Sequence, residues 1–256
     1  MYISVDVGGT NTRVAGALDI DNPAFESTPL RRRNTHNFEN DIEFIITSAL
    51  RIAGNDRVQA VGIGTPGSPN DDKTKMKSAR NLRSWEDKPL VSTLRGALDC
   101  EVFYDNDVVA ASLAEVYYGQ GLGDFDYLIW GTGVGGAEVH RTSSTPEIKI
   151  LNWQEHFSDW ERSVGGKEIA SFFGKPPEEF TIADWEVVST RFHEHLRRFI
   201  SANQPKAVIF GGGLAVTHAK LIEKAGQYLG VKIGVTKFGE DSGLMGGFGL
   251  IKRGTT

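Results

Sequence analysis

The first residues of the chain that could do chemistry are a glycine pair placed between an aspartate and two threonines. Gly8 and Gly9 leave backbone N–H groups uncovered, so that a phosphate group can approach them closely. Thr10 and Thr12 add hydroxyl donors, and Asp6, at the end of a strand-like run, could support a magnesium ion beside such a phosphate. A tight hairpin in which Asp6 only bonds the turn would explain the same residues equally well.

Two further glycine-rich segments lie in the second half of the chain. Residues 131–136 read Gly-Thr-Gly-Val-Gly-Gly between two strand-like runs and repeat the opening pattern. Residues 211–213 are three glycines between a predicted strand and a predicted helix, where flat backbone could lie against a nucleobase or a sugar. Close strand–helix packing would explain these three glycines equally well. One glycine hairpin is ambiguous, but two in matching positions favour a polyphosphate group held from two sides.

An acidic side chain follows a short predicted strand in the middle of the chain. Asp107 lies at or just before the first turn of a predicted helix, with Asn106 beside it. The local pattern favours an N-terminal helix cap, in which the carboxylate accepts backbone N–H bonds. The chemical alternative is a general base that takes a proton from a hydroxyl group, because a helix N-terminus keeps a carboxylate ionised. Asn106 could then bond a polyol.

Composition narrows the class of protein that carries these residues. The chain has 256 residues, a formal net charge of −5 and a single cysteine, Cys100. The absence of an apolar run near the ~20 residues of a membrane span, and of a secretory signal pattern, predicts a soluble cytoplasmic protein with no membrane partner. One cysteine excludes a disulfide framework and a cysteine-rich zinc site. The mild acidity argues against nucleic acid as a partner.

Strand-like and helix-like segments alternate along the chain, which predicts an α/β fold class. Both halves open with an apolar strand, a Gly/Thr-rich turn and a returning strand, first over residues 2–18 and again over 127–139. This repetition predicts two α/β lobes that face each other across a cleft. We place the N-terminal lobe at residues 1–106, completed by a C-terminal helix over 243–256, and the C-terminal lobe at 107–242.

The ordered set of motifs resembles the ROK family of sugar kinases, which has the two-lobed actin-like/ribonuclease H-like ATPase fold. The matching segments occur in the family's order over nearly the whole chain, and they are Asp6–Arg13, Gly64–Gly67, Asn81–Trp85, Asn106-Asp107, Gly131–Gly136, Trp160-Glu161 and Gly211–Gly213. The resemblance implies transfer of the γ-phosphoryl group of ATP, with Mg²⁺, to a hydroxyl group of a small-molecule sugar. Relatives are commonly dimers, so a homodimer is also expected as a possible assembly.

The resemblance implies roles for individual residues. Asp107 looks like the family's catalytic base, and Asp6 would support Mg²⁺ through water. The residues that would hold the nucleotide and its phosphates, besides Asp6, are Gly8, Gly9, Thr10, Asn11, Thr12, Thr132, Gly133, Gly212 and Gly213. The residues that would contact the sugar, besides Asp107, are Gly67, Asn81, Asn106, Glu147 and Glu161.

The chain departs from the family pattern where most members bind zinc. Those members use one His and a cluster of three Cys just before the sugar-binding Glu, but residues 152–159 of this chain contain no cysteine. We therefore predict no structural zinc. Trp153, Phe157 and Trp160 are expected to hold the segment by burial instead, each contributing about 2 kcal/mol when fully covered.

Two further departures affect the sugar-binding residues. The family has a Glu-x-Gly-His motif with two sugar contacts, and Glu147 aligns with its Glu, but Ile150 stands in place of the His. Glu155-His156 is the competing alignment. Val109 also replaces the Asn that many members have after the Asn-Asp pair. These changes leave the identity of the sugar open and the phosphoryl chemistry largely intact.

The resemblance therefore implies an ATP-dependent, glucokinase-like hexose kinase that phosphorylates the primary hydroxyl group. The alternatives within the enzyme class are an N-acetylhexosamine kinase, a fructokinase and a polyphosphate-dependent glucokinase. Two basic stretches, residues 31–33 and 73–83, are predicted to be solvated loops, and the alternative is that they bind a longer anionic donor such as polyphosphate. The alternative from another class is a non-catalytic sugar-sensing module. Repressors of the family carry a DNA-binding domain before the first strand, and here that strand starts at Tyr2, which argues against a regulator.

Overall fold

The computed structural model describes residues 1–80, 82–141 and 146–255. The strands are β1 (Tyr2–Val7), β2 (Asn11–Ala17), β3 (Leu30–Arg33), β4 (Ala60–Thr65), β5 (Ser68–Pro69), β6 (Met76–Ser78), β7 (Glu101–Asn106), β8 (Phe125–Trp130), β9 (Val134–His140), β10 (Glu147–Ile150), β11 (Ala207–Gly211) and β12 (Lys232–Val235). The helices are α1 (Phe38–Ala53), α2 (Leu90–Leu98), α3 (Asp107–Tyr118), α4 (Trp153–His156), α5 (Ser158–Val164), α6 (Gly166–Phe173), α7 (Ile182–Asn203), α8 (Gly213–Thr217), α9 (Ala219–Leu229) and α10 (Ser242–Thr255). In the described ranges, none of the helices is long and apolar enough to cross a membrane.

The elements form two compact units. The first unit is Met1–Gly121 with Asp241–Thr256, and the second is Leu122–Glu240. The first unit thus extends past the lobe boundary that the sequence places after residue 106. The reason is close packing between α3 and α10, because a Cβ added to Gly246 of α10 would lie only 2.4 Å from the carbonyl carbon of Ala110 in α3. This packing keeps α3 in the first unit together with the C-terminal helix.

A five-stranded sheet with the order β3-β2-β1-β4-β7 forms the centre of the first unit. Strand β1 pairs antiparallel with β2 and parallel with β4, and β4 pairs parallel with β7. The carboxyl ends of the three parallel strands therefore lie side by side. The register pairs Asp6 with Gly64, and Thr65 with Asn106. This edge of the sheet brings together residues that are far apart in the sequence.

Successive side chains of β1 point to opposite faces of the sheet, and each face is covered by helices. Ile3 is fully buried in the apolar cluster that includes side chains of α1 and α2. Ser4 faces α10, where its hydroxyl group donates to the carbonyl oxygen of Leu244. On the same face, a Cβ added to Gly62 of β4 would lie 1.8 Å from the carbonyl oxygen of Gly247. Glycine is therefore required for α10 to lie directly on the sheet.

The second unit repeats this arrangement. Its sheet has the order β10-β9-β8-β11-β12, in which β8, β9 and β10 are antiparallel and β8, β11 and β12 are parallel. An aromatic cluster fills its core, and four of its members that are almost fully buried are Trp130, Trp160, Phe192 and Phe210. Both units therefore combine helices with a mixed sheet, which confirms the predicted α/β class.

Candidate active site

Two carboxylates lie at the carboxyl edge of the first sheet. Asp6 stands near the end of β1, and Asp107 begins α3 directly after β7. Loss of surrounding water raises the pKa of each carboxyl group to about 6. The charge of Asp6 adds to the rise in the pKa of Asp107, while the guanidinium group of Arg13 opposes the rise in the pKa of Asp6. A carboxylate with a pKa near 6 is a competent proton acceptor at neutral pH.

The carboxylate of Asp6 is packed against the first turn of α10. A Cβ added to Gly243 would lie 2.4 Å from the carboxyl carbon of Asp6, so this close approach requires glycine. Asp241, just before the helix, forms an ion pair with Arg13, which is the register partner of Asp6 across the β1–β2 ladder. The charge of Asp241 also raises the pKa of Asp6. The sequence analysis missed both Asp241 and Gly243, because only folding brings this segment to Asp6.

Asn106, rather than Asp107, is the N-cap of α3. Its side-chain oxygen accepts from the backbone N–H of Val108 at 2.8 Å, and its amide group donates to the carbonyl oxygen of Gly67 at 2.7 Å. Asp107 is already the first helical residue, and its carboxylate also accepts from Val108, at 2.9 Å. The capping role that the local pattern favours for Asp107 therefore falls mainly on its neighbour.

The hairpin between β1 and β2 presents an exposed tip. The backbone N–H of Gly8 donates to the carbonyl oxygen of Asn11 at 2.8 Å, which closes the turn. Gly9 and Thr10, between these two residues, are exposed. The turn thus places a glycine and a hydroxyl side chain where a phosphate group could reach their backbone N–H groups.

Asn34, which follows β3, holds this hairpin in place. Its backbone N–H donates to the carbonyl oxygen of Thr10 at 2.9 Å, and its side-chain amide donates to the carbonyl oxygen of Gly8. Its side-chain oxygen accepts from the hydroxyl group of Thr12, which is only 1% exposed. Thr12 therefore stabilises the hairpin from within, unlike the phosphate contact expected from the sequence. No local pattern pointed to Asn34, because its partners lie more than twenty residues earlier, in the hairpin turn and on β2.

A third carboxylate, which the sequence analysis missed, is buried directly before the Asn106-Asp107 pair. One oxygen of Asp105 contacts the ammonium group of Lys73 at 2.6 Å and the guanidinium group of Arg253 at 2.7 Å. The other oxygen accepts from the backbone N–H of Asn106 at 2.9 Å. Lys73 comes from the turn between β5 and β6, and Arg253 from the last turn of α10. Asp105 thus ties two distant segments to the strand that carries Asn106.

In the second unit, the hairpin between β8 and β9 is fixed through its carbonyl groups. The backbone N–H groups of Gly166 and Lys167, at the start of α6, donate to the carbonyl oxygens of Gly131 and Thr132 at 2.8 and 3.2 Å. The N–H of Gly131 donates to the carbonyl oxygen of Gly133 at 3.0 Å. Thr132 itself is exposed at the tip. The start of α6 therefore sets the conformation of this turn.

The second glycine segment of this unit lies next to that hairpin. Gly212 has a φ of +93°, and a Cβ added there would lie 2.6 Å from the carbonyl oxygen of Trp130. Gly213 begins α8, and a Cβ added to Gly131 would lie 3.7 Å from its backbone nitrogen. The structure thus brings together the two segments that the sequence assigns to the nucleotide in this half of the chain.

The residues that the resemblance assigns to the sugar are distributed over both units. Gly67 and Asn106 are in the first unit, where they share a hydrogen bond. Glu147 is exposed at the start of the edge strand β10. In α5, Glu161 accepts hydrogen bonds from within the second unit, as detailed below. Asn81 lies outside the described residues.

The residues at 152–159 do not fit the zinc site of the resemblance. They include no cysteine, and the ring of His156 lies against the rings of Phe157 and Phe199. Across the described parts of the chain, no group of three or more His, Cys, Asp or Glu residues could hold a metal ion. Phe157 and Trp160 are 0% and 1% exposed. Aromatic burial holds this segment in the way that its composition suggests.

Known proteins similar in sequence include sugar kinases. A model of the ROK family matches residues 2–142 of the chain. A glucokinase of Thermotoga maritima is 30% identical over 140 residues, which cover 54% of this chain and 44% of that protein. An N-acetyl-D-glucosamine kinase of Haemophilus influenzae is 30% identical over 146 residues, which cover 54% of this chain and 46% of that protein. The match thus spans less than half the length of these two relatives.

Similarity in structure extends over the whole chain. A crystal structure of a ROK family glucokinase from Streptomyces griseus, in complex with glucose and AMPPNP, has a TM-score of 0.78 at 18% sequence identity. The superposition covers 97% of this chain and 98% of that one. This similarity confirms the predicted actin-like/ribonuclease H-like ATPase fold. Because the family model also matches more than half of the residues, the chain belongs to the ROK family.

Proposed function

We propose that the chain transfers the γ-phosphoryl group of ATP to the primary hydroxyl group of a glucose-like hexose. The observation that carries this proposal is the pair of carboxylates with raised pKa, Asp6 and Asp107, on the sheet edge from which the exposed Gly9-Thr10 tip emerges. A proton acceptor and a phosphate cradle are the two parts that phosphoryl transfer to an alcohol needs. The glucose and AMPPNP in the Streptomyces griseus structure support this choice of acceptor and donor.

Asp107 is the general base of the proposed reaction. A pKa of about 6 leaves its carboxylate ionised at neutral pH, yet basic enough to hold the proton of the attacking hydroxyl group. The hydrogen bond from the backbone N–H of Val108 limits the orientations of the carboxylate. Such positioning matters because phosphoryl transfer is accelerated mainly by alignment and charge stabilisation.

The sugar would bind beside this base through the start of α3 and the turn after β4. The amide group of Asn106 is already oriented by the carbonyl oxygen of Gly67 at 2.7 Å, so a polyol would meet polar groups in fixed positions. We assign Asn81 to the same contact surface on the basis of the family motif. Within the second unit, Glu147 is the sugar-contact candidate from the family motif.

In each unit, a glycine-rich turn is the candidate for contact with the nucleotide. The N–H groups of Gly8 and Gly131 are used within their own turns, so the backbone N–H groups of Gly9 and Thr10, and of Thr132 and Gly133, would contact phosphate oxygens. The flat backbone of Gly212 and Gly213 would lie beside the adenosine. Asn34 fixes the first turn by hydrogen bonds, and the start of α6 fixes the second. These bonds support the proposal that each turn is preformed for phosphate.

Mg²⁺ fits this set of residues as a companion of the nucleotide. No dedicated group of three ligands occurs in the described residues, and Mg²⁺ commonly binds one or two carboxylates together with water and phosphate oxygens. Asp6, whose carboxylate is disfavoured by loss of water, would hold the ion through water. The ion would neutralise charge on the transferring phosphoryl group.

A coupled assay that pairs different hexoses with different donors tests the proposal. Glucose, N-acetylglucosamine and fructose are each combined with ATP or polyphosphate at constant Mg²⁺, and the phosphorylated position is read by NMR. We expect the highest kcat/KM with glucose and ATP, and phosphate at the primary hydroxyl group. A higher kcat/KM for another pair would replace the proposal by the corresponding kinase. Sugar binding without turnover of any donor would favour a sugar-sensing module.

A further inference from the structure

The carboxylate of Glu161 is engaged with the glycine hairpin of the second unit. Its Oε2 atom accepts a hydrogen bond from the backbone N–H of Val134 at 2.9 Å. The same atom accepts from the indole N–H of Trp153 at 3.2 Å. Val134 directly follows the Gly131–Gly133 turn and is 4% exposed. One oxygen of Glu161 therefore joins the segment before α5 to the first residue of β9.

The packing around this carboxylate shows that the hairpin is built to receive it. A Cβ added to Gly133 would lie 2.5 Å from the Oε2 atom of Glu161, so a larger residue there would push this carboxylate away from Val134. The backbone carbonyl of Glu161 also accepts from the N–H of Gly165 at 2.7 Å, just before the residues that bond the hairpin carbonyls. This bond ends α5 directly before Gly166, whose N–H donates to the hairpin carbonyl of Gly131.

A sugar contact through the same oxygen, Oε2, would compete with the observed arrangement. Val134 is buried, so removing its acceptor would leave a backbone N–H without compensation for lost water. The indole group of Trp153 would lose the same acceptor. The bonds from Gly166 and Lys167 to the carbonyl groups of the turn would remain.

We propose that Glu161 is a positioning residue for the phosphate-binding hairpin of this chain, acting through Val134. This inference rests on the proposed function, because it assigns the hairpin to the phosphates of the nucleotide. It differs from the sugar contact that the family resemblance implies for Glu161. The role requires a hydrogen-bond acceptor at this position and does not require its charge.

Two variants distinguish a requirement for a hydrogen-bond acceptor at position 161 from a requirement for negative charge. Glu161→Gln keeps a carbonyl oxygen for the two N–H groups, whereas Glu161→Ala removes the acceptor. Hydrogen exchange of the ligand-free protein should show faster exchange at the Val134 amide in Glu161→Ala and near wild-type exchange in Glu161→Gln. Unchanged exchange in Glu161→Ala would overturn the inference whatever the protein catalyses, because this measurement involves no ligand.

Titration with Mg²⁺ and AMPPNP, and separately with glucose, then assigns the role. We expect Glu161→Ala to weaken AMPPNP binding about tenfold or more and glucose binding less than about threefold, with Glu161→Gln restoring AMPPNP binding. A loss confined to glucose binding, in both variants, would overturn the inference and support the sugar contact. A wild-type chain that bound no nucleotide would contradict the proposed function and this role together, and the wild-type titration alone would show it.

Glu194→Ala serves as the matched control. Glu194 is an exposed residue of α7 in the same unit, where its carboxylate pairs with Arg198 one turn away. Its removal changes the net charge as Glu161→Ala does, without touching the hairpin. Exchange at Val134 and binding of AMPPNP should therefore match the wild type. An effect of Glu194→Ala equal to that of Glu161→Ala would overturn the inference, because net charge alone would then explain both.

Discussion

Asp107 owes its expected chemistry to its surroundings. Loss of water raises its pKa to about 6, the charge of Asp6 adds to the rise, and the hydrogen bond from Val108 opposes it. An exposed aspartate, with a pKa near 4, would be a weak proton acceptor at neutral pH. The position between a buried strand and a helix start thus converts an ordinary residue type into a candidate base.

Replacement of Asp107 by Asn should separate catalysis from stability. The amide oxygen of Asn can still accept from the backbone N–H of Val108, but the side chain cannot take a proton. We expect kcat to fall by at least about 10²-fold while the melting temperature stays within a few degrees of the wild type. Steady-state kinetics and circular dichroism on the same preparation measure both quantities.

Asp159→Asn provides the control for this substitution. Asp159 is an exposed residue of α5 that pairs with Arg162, so the same chemical change there should leave kcat unaltered. Near wild-type turnover in Asp107→Asn would show that the carboxylate only supports the helix start.

The pH dependence of the reaction should report the raised pKa. The base must be ionised to act, so kcat/KM for the sugar should rise as pH increases through about 6 and level off at neutral pH. A rise centred near pH 4 would indicate a fully solvated carboxylate and would contradict the raised pKa of Asp107.

Protein stability provides a second measurement of the same pKa. The carboxyl group binds protons more tightly in the folded chain than in the unfolded chain, where its pKa is near 3.8. Its contribution to the free energy of unfolding is therefore present at low pH and is lost as pH rises through about 6. Asp107→Asn should remove this part of the pH dependence, so the difference between variant and wild type should change between pH 4 and 6.

Sequence patterns identified the residues at the ends of strands but not the residues that hold them. Gly8, Gly9 and Asp107 belong to short motifs whose chemistry is local. Asn34 and Asp241 act through partners on other strands and helices, so no spacing in the sequence marks them. The hydroxyl group of Thr12 is buried and bonds Asn34, although a phosphate contact was expected. This burial depends on the fold and could not be predicted from the sequence.

At the scale of elements, α10 connects the core to the candidate site. Its glycines allow the backbone to lie directly on β1 and β4, and its first turn contacts Asp6 through Gly243. Its last turn reaches Asp105 through Arg253. One helix therefore supports two of the carboxylates at the sheet edge, and a shift in its position would disturb both.

Gly247→Ala tests how tightly this helix must pack. The added Cβ would lie 2.1 Å from the hydroxyl oxygen of Ser4 and 2.8 Å from the carbonyl oxygen of Gly62. Because backbone cannot move aside without opening the sheet, we expect the free energy of unfolding to fall by about 2–3 kcal/mol. Urea denaturation with a linear extrapolation measures the change.

Gly96→Ala in α2 is the matched control for this substitution. Gly96 lies inside a helix, and a Cβ added there meets nothing within 4 Å. The same change should therefore raise the free energy of unfolding by about 0.5–1 kcal/mol, because alanine favours the helix. A similar gain at Gly247 would show that α10 does not lie on the sheet as described.

Elements were predicted better where one face is strongly apolar. The C-terminal helix was expected over residues 243–256, and α10 spans Ser242–Thr255. In the segment at 152–161, Phe157 and Trp160 are buried as expected, whereas Trp153 is only partly buried. The lobe boundary could not be placed from local patterns, because the unit to which α3 belongs is decided by its packing against α10.

At the scale of the whole molecule, the two sheets have the same order and the same mixture of parallel and antiparallel pairs. In each unit, a glycine turn joins the first two strands of the sheet, and those two strands are antiparallel. These repeated turns are the feature of the sequence that predicted two similar lobes. A ligand that binds the folded chain but not the unfolded chain adds to the free energy of unfolding of the unit that it contacts.

Thermal unfolding with and without sugars tests the acceptor at this scale. A ligand at 100 times its Kd adds about 2.7 kcal/mol to the free energy of unfolding, and for a chain of 256 residues this corresponds to a rise of about 5–10 °C in the melting temperature. We expect the largest rise with glucose, a smaller one with N-acetylglucosamine or fructose, and a further rise when Mg²⁺ and AMPPNP are added to glucose. Mannitol at equal concentration controls for general solute effects, since it lacks the sugar ring. Equal shifts with mannitol and glucose would contradict a hexose site, because stabilisation would then come from the solvent and not from contacts such as those expected at Asn106.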